Sequence, residues 1–136
     1  MIVVDASAAV ESLLGTAAGL EIAATIDRHE TATTPANFDD EAYGALRRLY
    51  LRGVIQKERA IGAIASLRTF PASRVPIQPM VEAAALYIDR FGSHDVFYAM
   101  LALYARCPLL TCDASLARAA RATGIEVLHV TPSQVG

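Results

Sequence analysis

The sequence predicts an α/β fold: a mostly parallel central sheet with helices on both faces. Short apolar runs rich in β-branched residues recur along the chain, and segments with helical spacing separate them. Parallel neighbours need long crossovers, which those helical segments supply. The 136 residues fit one domain over 1–136, with no repeat, linker or low-complexity tract.

The elements follow in order. Ile2–Val4 is a β-rich run that ends in Asp5, and the stretch from Ser7 to Leu14 has helical character. Gly15 and Thr16 punctuate it, with Thr16 placed to cap a second helix running to about Arg28. Leu20, Ile22, Ala23 and Ile26 are its apolar residues. Thr31–Thr34 is a short strand stopped by Pro35. Phe38, Ala42, Leu46 and Leu49 place a helix over Phe38–Arg52, closed by Gly53. Ile61, Ile64 and Leu67 place the next over Lys57–Phe70. Val75–Ile77 is a weak strand, because Pro76 cannot donate to a ladder. Helices are expected at about Met80–Arg90 and His94–Arg106, then a buried-type strand at Leu109–Cys112 ending in Asp113. A helix from Ser115 to Thr123 stops at Gly124, and Glu126–Val130 is the last strand.

The hydrophobic share is 54% and the charged share 19%, the balance of a compact globular chain. With 12 basic and 14 acidic residues the net charge is −2, so bulk electrostatics do not announce a nucleic-acid binder. Any such role must rest on local chemistry. Cys107 and Cys112 fit no disulfide framework or CxxC motif and are expected to be small buried residues in a reducing compartment. No stretch approaches the ~18 apolar residues of a membrane span. The N-terminus lacks the basic and apolar regions of a signal peptide, so a cytoplasmic location is expected.

The chemistry lies in the carboxylates. Asp5 and Asp113 each stand just past an apolar strand and before a helix; Glu41 and Asp95 fall in the first turns of helices. In a parallel sheet, strand C-termini and the helix starts that follow share one rim, where ligands bind. Singly, each acid has a plain explanation as a helix cap or a partner of the helix dipole, as does Ser7. Converging, they repel: two like charges about 4 Å apart cost roughly 4 kcal/mol at an effective dielectric near 20. A cation or shared protons must neutralise such a quartet. Hard oxygens favour Mg²⁺ or Mn²⁺, and no His/Cys spacing recommends zinc.

The run Ile2, Val3, Val4, Asp5, Ala6, Ser7 resembles the opening of PIN-domain proteins, in which a strand delivers the first acid and a hydroxyl residue stands two places on. Thr34 to Glu41 resembles the family's second motif, Ser93 to Ala102 its third, and Leu110 to Ala117 its fourth, with Gly124–Val127 like its closing strand. The similarity covers essentially the whole chain in order, and the length is similar to VapC toxins. The resemblance implies a metal site from Asp5, Glu41, Asp95 and Asp113, with Ser7 or Thr111 supplying hydroxyl contacts. It implies RNA phosphodiester hydrolysis that leaves a 5′-phosphate and a 3′-hydroxyl. It also implies a homodimer and a small VapB-like antitoxin that lays a helix on an apolar groove, with the helices near residues 8–26 and 42–67 as candidate walls.

Departures and rivals complete the expectations. His94 stands where relatives often carry an aromatic or apolar residue; it is expected to cap a helix or lie on the rim, with a proton shuttle as the alternative. Asp39 is expected to be solvated surface rather than a metal ligand through water. Arg48 and Arg52 recur on Glu41's helical stripe, placed either to hold RNA phosphates or as a solvated face; Arg118 and Arg121 are weaker candidates. His29 and His129 have no partner in sequence. An aspartyl-nucleophile phosphatase would place a second acid two positions after Asp5, where Ser7 stands. A receiver-like module needs an early acidic pair and a late lysine, and the one lysine is Lys57. A PIN-like module that binds RNA or a partner without catalysis is the remaining alternative.

Overall fold

The structure, a computed structural model, describes residues 1–133. Its strands are β1 (Ile2–Val4), β2 (Ala32–Pro35), β3 (Ser73–Val75), β4 (Leu109–Thr111) and β5 (Val127–His129). Its α-helices are α1 (Ala6–Leu14), α2 (Ala17–Asp27), α3 (Phe38–Leu51), α4 (Lys57–Ser66), α5 (Val81–Ala85), α6 (Asp95–Ala105) and α7 (Ala114–Ala122). The strands form one sheet in the order β3-β2-β1-β4-β5, and every pairing is parallel.

That order fixes where the helices go. From β1 through β2 to β3 the chain steps toward one edge; it then jumps back across β1 to β4 and steps to the other edge. Right-handed crossovers place α1–α4 on one face and α5–α7 on the other. The packing agrees: α1 meets α2, α3 and α4, whereas α6 lies on β1, β2 and β4. The central strands are sandwiched, so Ile2, Val3, Val4, Leu109 and Leu110 are all buried and read as unbroken apolar runs. Ile22, Phe38 and Leu46 close the core on one side, Met100 and Leu116 on the other.

Thr16 caps α2 as expected, its hydroxyl accepting from the Gly19 amide at 3.0 Å. The axes of α1 and α2 are bent by 113°, a turn made through Gly15 at φ 65°. The bend drives Gly19 against α1 so closely that a Cβ there would stand 2.0 Å from the Glu11 carbonyl oxygen. Among the described residues no single helix is long and apolar enough to cross a membrane.

Three expectations shift. The third strand is Ser73–Val75 rather than Val75–Ile77, since Pro76 has no N–H and the ladder stops before it. The fourth helix ends at Ser66 and tightens into a 3₁₀ turn over Leu67–Thr69, because Phe70 precedes Pro71 and is extended. The helix expected over Met80–Arg90 is a 3₁₀ turn at Gln78–Met80 followed by five residues of α5. Beyond it Leu86 and Ile88 are 83% and 79% exposed, so no buried face holds a helix there.

The crowding at Gly19 predicts that Gly19→Ala costs about 1–3 kcal/mol, toward the upper end because the obstacle is backbone. Gly62→Ala, mid-helix in α4 with open space at its Cβ, should add roughly 0.4–1 kcal/mol. Paired denaturant melts check both signs.

Candidate active site

β1 and β4 lie side by side, yet the helices that follow them, α1 and α7, leave to opposite faces. The crevice at their carboxyl ends is the switch point of the sheet, where a parallel fold leaves room for a ligand. Asp5 immediately follows β1, and Asp113 stands two residues beyond β4. Glu41 projects from the first turn of α3 and Asp95 opens α6. All four line one cleft of about 470 Å³, which Asp40, Arg48 and His94 also border.

Asp5 is 5% exposed and does not cap α1 with its side chain. Its Oδ2 instead accepts from the Ser7 hydroxyl at 2.5 Å and the Thr111 hydroxyl at 2.7 Å. Those hydroxyls are themselves oriented. The Cys112 amide donates to Ser7 Oγ and the Asp113 amide to Thr111 Oγ1, each at 3.0 Å. With their lone pairs facing the backbone, both hydroxyls turn a proton to Asp5. The capping explanation therefore fails for Asp5 and Ser7. It holds for Asp113, whose Oδ1 accepts from the Ser115 and Leu116 amides at 2.8 and 3.2 Å while the residue borders the cleft.

Burial sets the electrostatics. It raises the Asp5 carboxyl above the usual range, against the pull of Ser7 and Thr111. Burial, then the charges of Asp5 and Asp95, push Glu41 up to about 8. Burial, then Asp5 and Asp113, push Asp95 up to about 6. Glu41 and Asp95 are thus pushed toward protonation partly by the charges of their neighbours. Among the described residues no three His, Cys, Asp or Glu side chains stand close enough to form a finished metal cage. The acids share a cleft, not a single coordination sphere.

The remaining expected residues separate clearly. His94 Nδ1 lies 3.9 Å from Glu41 Oε1 and the ring is exposed; the residue sits on the rim at the N-cap position of α6, and its side chain makes no capping hydrogen bond. Arg48 borders the cleft, while Arg52, Arg118 and Arg121 do not. His29 Nδ1 pairs with the Thr25 carbonyl, and His129 stands on β5 outside the cleft. Cys112 is buried and Cys107 half-buried, both as free thiols. Asp39 is not simply solvated: Arg74 grips it through two hydrogen bonds, at 3.0 Å from Nε and 2.9 Å from a terminal nitrogen.

Sequence reasoning missed Arg74, Asn37 and Tyr98. Arg74 also donates to the carbonyls of Leu67, Phe70 and Ala72 and stacks 5.0 Å over the Phe38 ring, tying the start of α3 to the sheet edge. Asn37 Nδ2 donates to Glu41 Oε1 at 3.3 Å. A polar residue four places before an acid was the available signal for Asn37; nothing in the local pattern distinguishes Tyr98 from an ordinary core aromatic.

Fold and cleft together define an α/β protein whose chemistry rests on acids gathered at a sheet switch point. A model of the PIN domain matches residues 2–122. Ribonuclease VapC12 of Mycobacterium tuberculosis is 37% identical over 118 residues, 87% of this chain and 91% of that protein. Ribonuclease VapC3 of the same organism is 32% identical over 118 residues, 87% and 86% of the two chains. This chain belongs to the PIN-domain family, in its VapC branch. The crystal structure of PAE2754 from Pyrobaculum aerophilum has the same fold, with a TM-score of 0.67 at 23% identity over 93% of this chain and 82% of that one. A domain from Methanocaldococcus jannaschii follows at 0.57 and 18%, covering 98% and 92%.

The raised carboxyls set a pH dependence in chelator. In the unfolded chain these acids ionise near 4, so the folded state holds protons the unfolded state releases, and stability falls as pH rises through the folded values. The metal-free protein should lose melting temperature steadily between about pH 5 and pH 8, and Glu41→Gln should flatten the upper part of that slope. Melting curves across this range check it.

Proposed function

We propose that this chain is a divalent-cation-dependent endoribonuclease, the toxin of a VapBC-type pair. The convergence of Asp5, Glu41, Asp95 and Asp113 on one cleft carries the reading. Residues 1–136 act as one nuclease domain. The relatives bearing the name ribonuclease support the substrate class.

The donor set fits Mg²⁺ or Mn²⁺: it is all hard oxygen, and its acids are driven toward protonation by burial and one another, a penalty a cation relieves. Mg²⁺ keeps several waters and takes only one or two carboxylates, so it does not require a finished cage. When bound, the ion supplies charge stabilisation at phosphorus oxygens and a water acidified for attack.

The chain's own residues do the rest. Ser7 and Thr111 lock Asp5 in one rotamer through Oδ2. Asp113 is fixed by the α7 amides it caps. Glu41 and Asp95 face the same cleft from opposite helix layers. Arg48 offers a guanidinium to a phosphate flanking the scissile bond. Water adds to phosphorus and the bond to the 3′-oxygen breaks, leaving a 5′-phosphate and a 3′-hydroxyl without use of the 2′-hydroxyl. Single-stranded RNA presents its backbone openly enough to enter.

Partners follow from exposed apolar surface. Tyr43, Tyr50, Leu51 and Ile61 line a groove between α3 and α4 flanked by Arg47 and Lys57, suited to an amphipathic antitoxin helix. Val81, Leu86, Ile88 and Tyr104 are exposed on α5, its following turns and α6, and suit a second copy of the chain. The protein acts in the cytoplasm, among its RNA substrates.

Cleavage of single-stranded RNA should stop in EDTA and return with Mg²⁺ or Mn²⁺; undiminished cleavage in chelator contradicts the reading. Asp5→Asn should lower the rate by about two orders of magnitude or more, while the metal-free melting temperature holds or rises. A purely structural Asp5 would lose stability and keep activity in the folded fraction.

A further inference from the structure

Tyr98 is fully buried, yet its hydroxyl completes no hydrogen bond among the described residues. Buried hydroxyls are ordinarily paired, and an orphan next to the cleft-lining Glu41 points to a partner acquired in use. Tyr98 stands one turn after Asp95 on α6, so both side chains leave the same helical face. That helix packs over β1 and β2, whose carboxyl ends carry Asp5 and Thr34. The hydroxyl consequently lies beside the Glu41 carboxylate, the Thr34 hydroxyl and the Ala6 backbone.

Its neighbours narrow the role. Thr34 gives its one hydroxyl proton to the Val4 carbonyl at 2.9 Å, so it has none to donate to the phenol oxygen. Glu41 has slack: among the described residues its side chain accepts only the long contact from Asn37 at 3.3 Å, and the His94 ring is 3.9 Å away. We propose that Tyr98 is a positioning residue, whose phenol donates to the Glu41 carboxylate when a divalent cation occupies the cleft and fixes which oxygen Glu41 turns to the ion. Asn37 and Tyr98 would then hold Glu41 from two elements, as Ser7 and Thr111 hold Asp5. This inference rests on Glu41 serving the cation, as proposed above.

The test is Tyr98→Phe, read by Mn²⁺ titration calorimetry on the intact protein and by melting in chelator. Outer partners of metal ligands typically matter about 10- to 100-fold in affinity, so the Mn²⁺ dissociation constant should rise by about that factor. Melting of the metal-free variant should be unchanged or higher, because an unpaired buried hydroxyl has been removed. In a Glu41→Gln background, adding Tyr98→Phe should change Mn²⁺ affinity no further. Unchanged Mn²⁺ affinity in Tyr98→Phe, a lowered metal-free melting temperature, or additive losses in the double variant would overturn the positioning role. If Glu41→Gln alone leaves Mn²⁺ affinity intact, the assignment of Glu41 fails and this inference with it; if Glu41→Gln weakens binding and Tyr98→Phe does not, Tyr98 alone is rejected.

Discussion

Everything at this site depends on one carboxylate, Asp5, held out of water at the point where the strand order of the sheet reverses. A buried acid at the junction of β1 and β4 is unfavourable unless hydrogen bonds or a cation compensate it. Two hydroxyls do part of that work, and they come from both sides of the junction, Ser7 after β1 and Thr111 at the end of β4. The amides of Cys112 and Asp113 aim those hydroxyls. The turn after β4 thus serves twice: it shapes the crevice and sets the direction of the protons that reach Asp5.

The other acids are brought by helices, and the scaffold must place those helices with care. α3 carries Glu41, and its first turn is clamped through Asp39 by Arg74, which also ties down three carbonyls of the chain entering β3. α1 begins directly after Asp5, and its packing against α2 leaves no space for a side chain at Gly19. α6 brings Asp95 and, one turn on, Tyr98. These supports are ordinary interactions, yet each fixes an acid against repulsion from the rest. Stability and chemistry oppose one another here, as the raised carboxyls of Glu41 and Asp95 record.

The sequence was most legible where local and global demands agree. β1 and β4 are short apolar runs that end in an acid because central parallel strands are buried on both faces and then open onto the rim. That pattern exposed Asp5 and Asp113, and helix starts exposed Glu41 and Asp95. β3 was blurred because an edge strand of three residues next to Pro76 carries little signal, and α5 because its continuation keeps Leu86 and Ile88 exposed. The long-range supports left no local trace. Arg74 and Asp39 are 35 residues apart, and Tyr98 sits in a helical stripe where an aromatic residue ordinarily means core. Asp39 and Asp40 look alike in sequence; only the fold assigns one to an ion pair and the other to the cleft.

The central claim is that these four carboxylates form one cation-binding cleft. Anomalous diffraction from crystals of the protein soaked in Mn²⁺ tests it most directly. The account predicts a peak in the cleft within about 2.0–2.4 Å of at least one oxygen of Asp5, Glu41, Asp95 or Asp113, with water completing the shell. A cleft without a peak at saturating Mn²⁺, or ions only elsewhere on the surface, would contradict it.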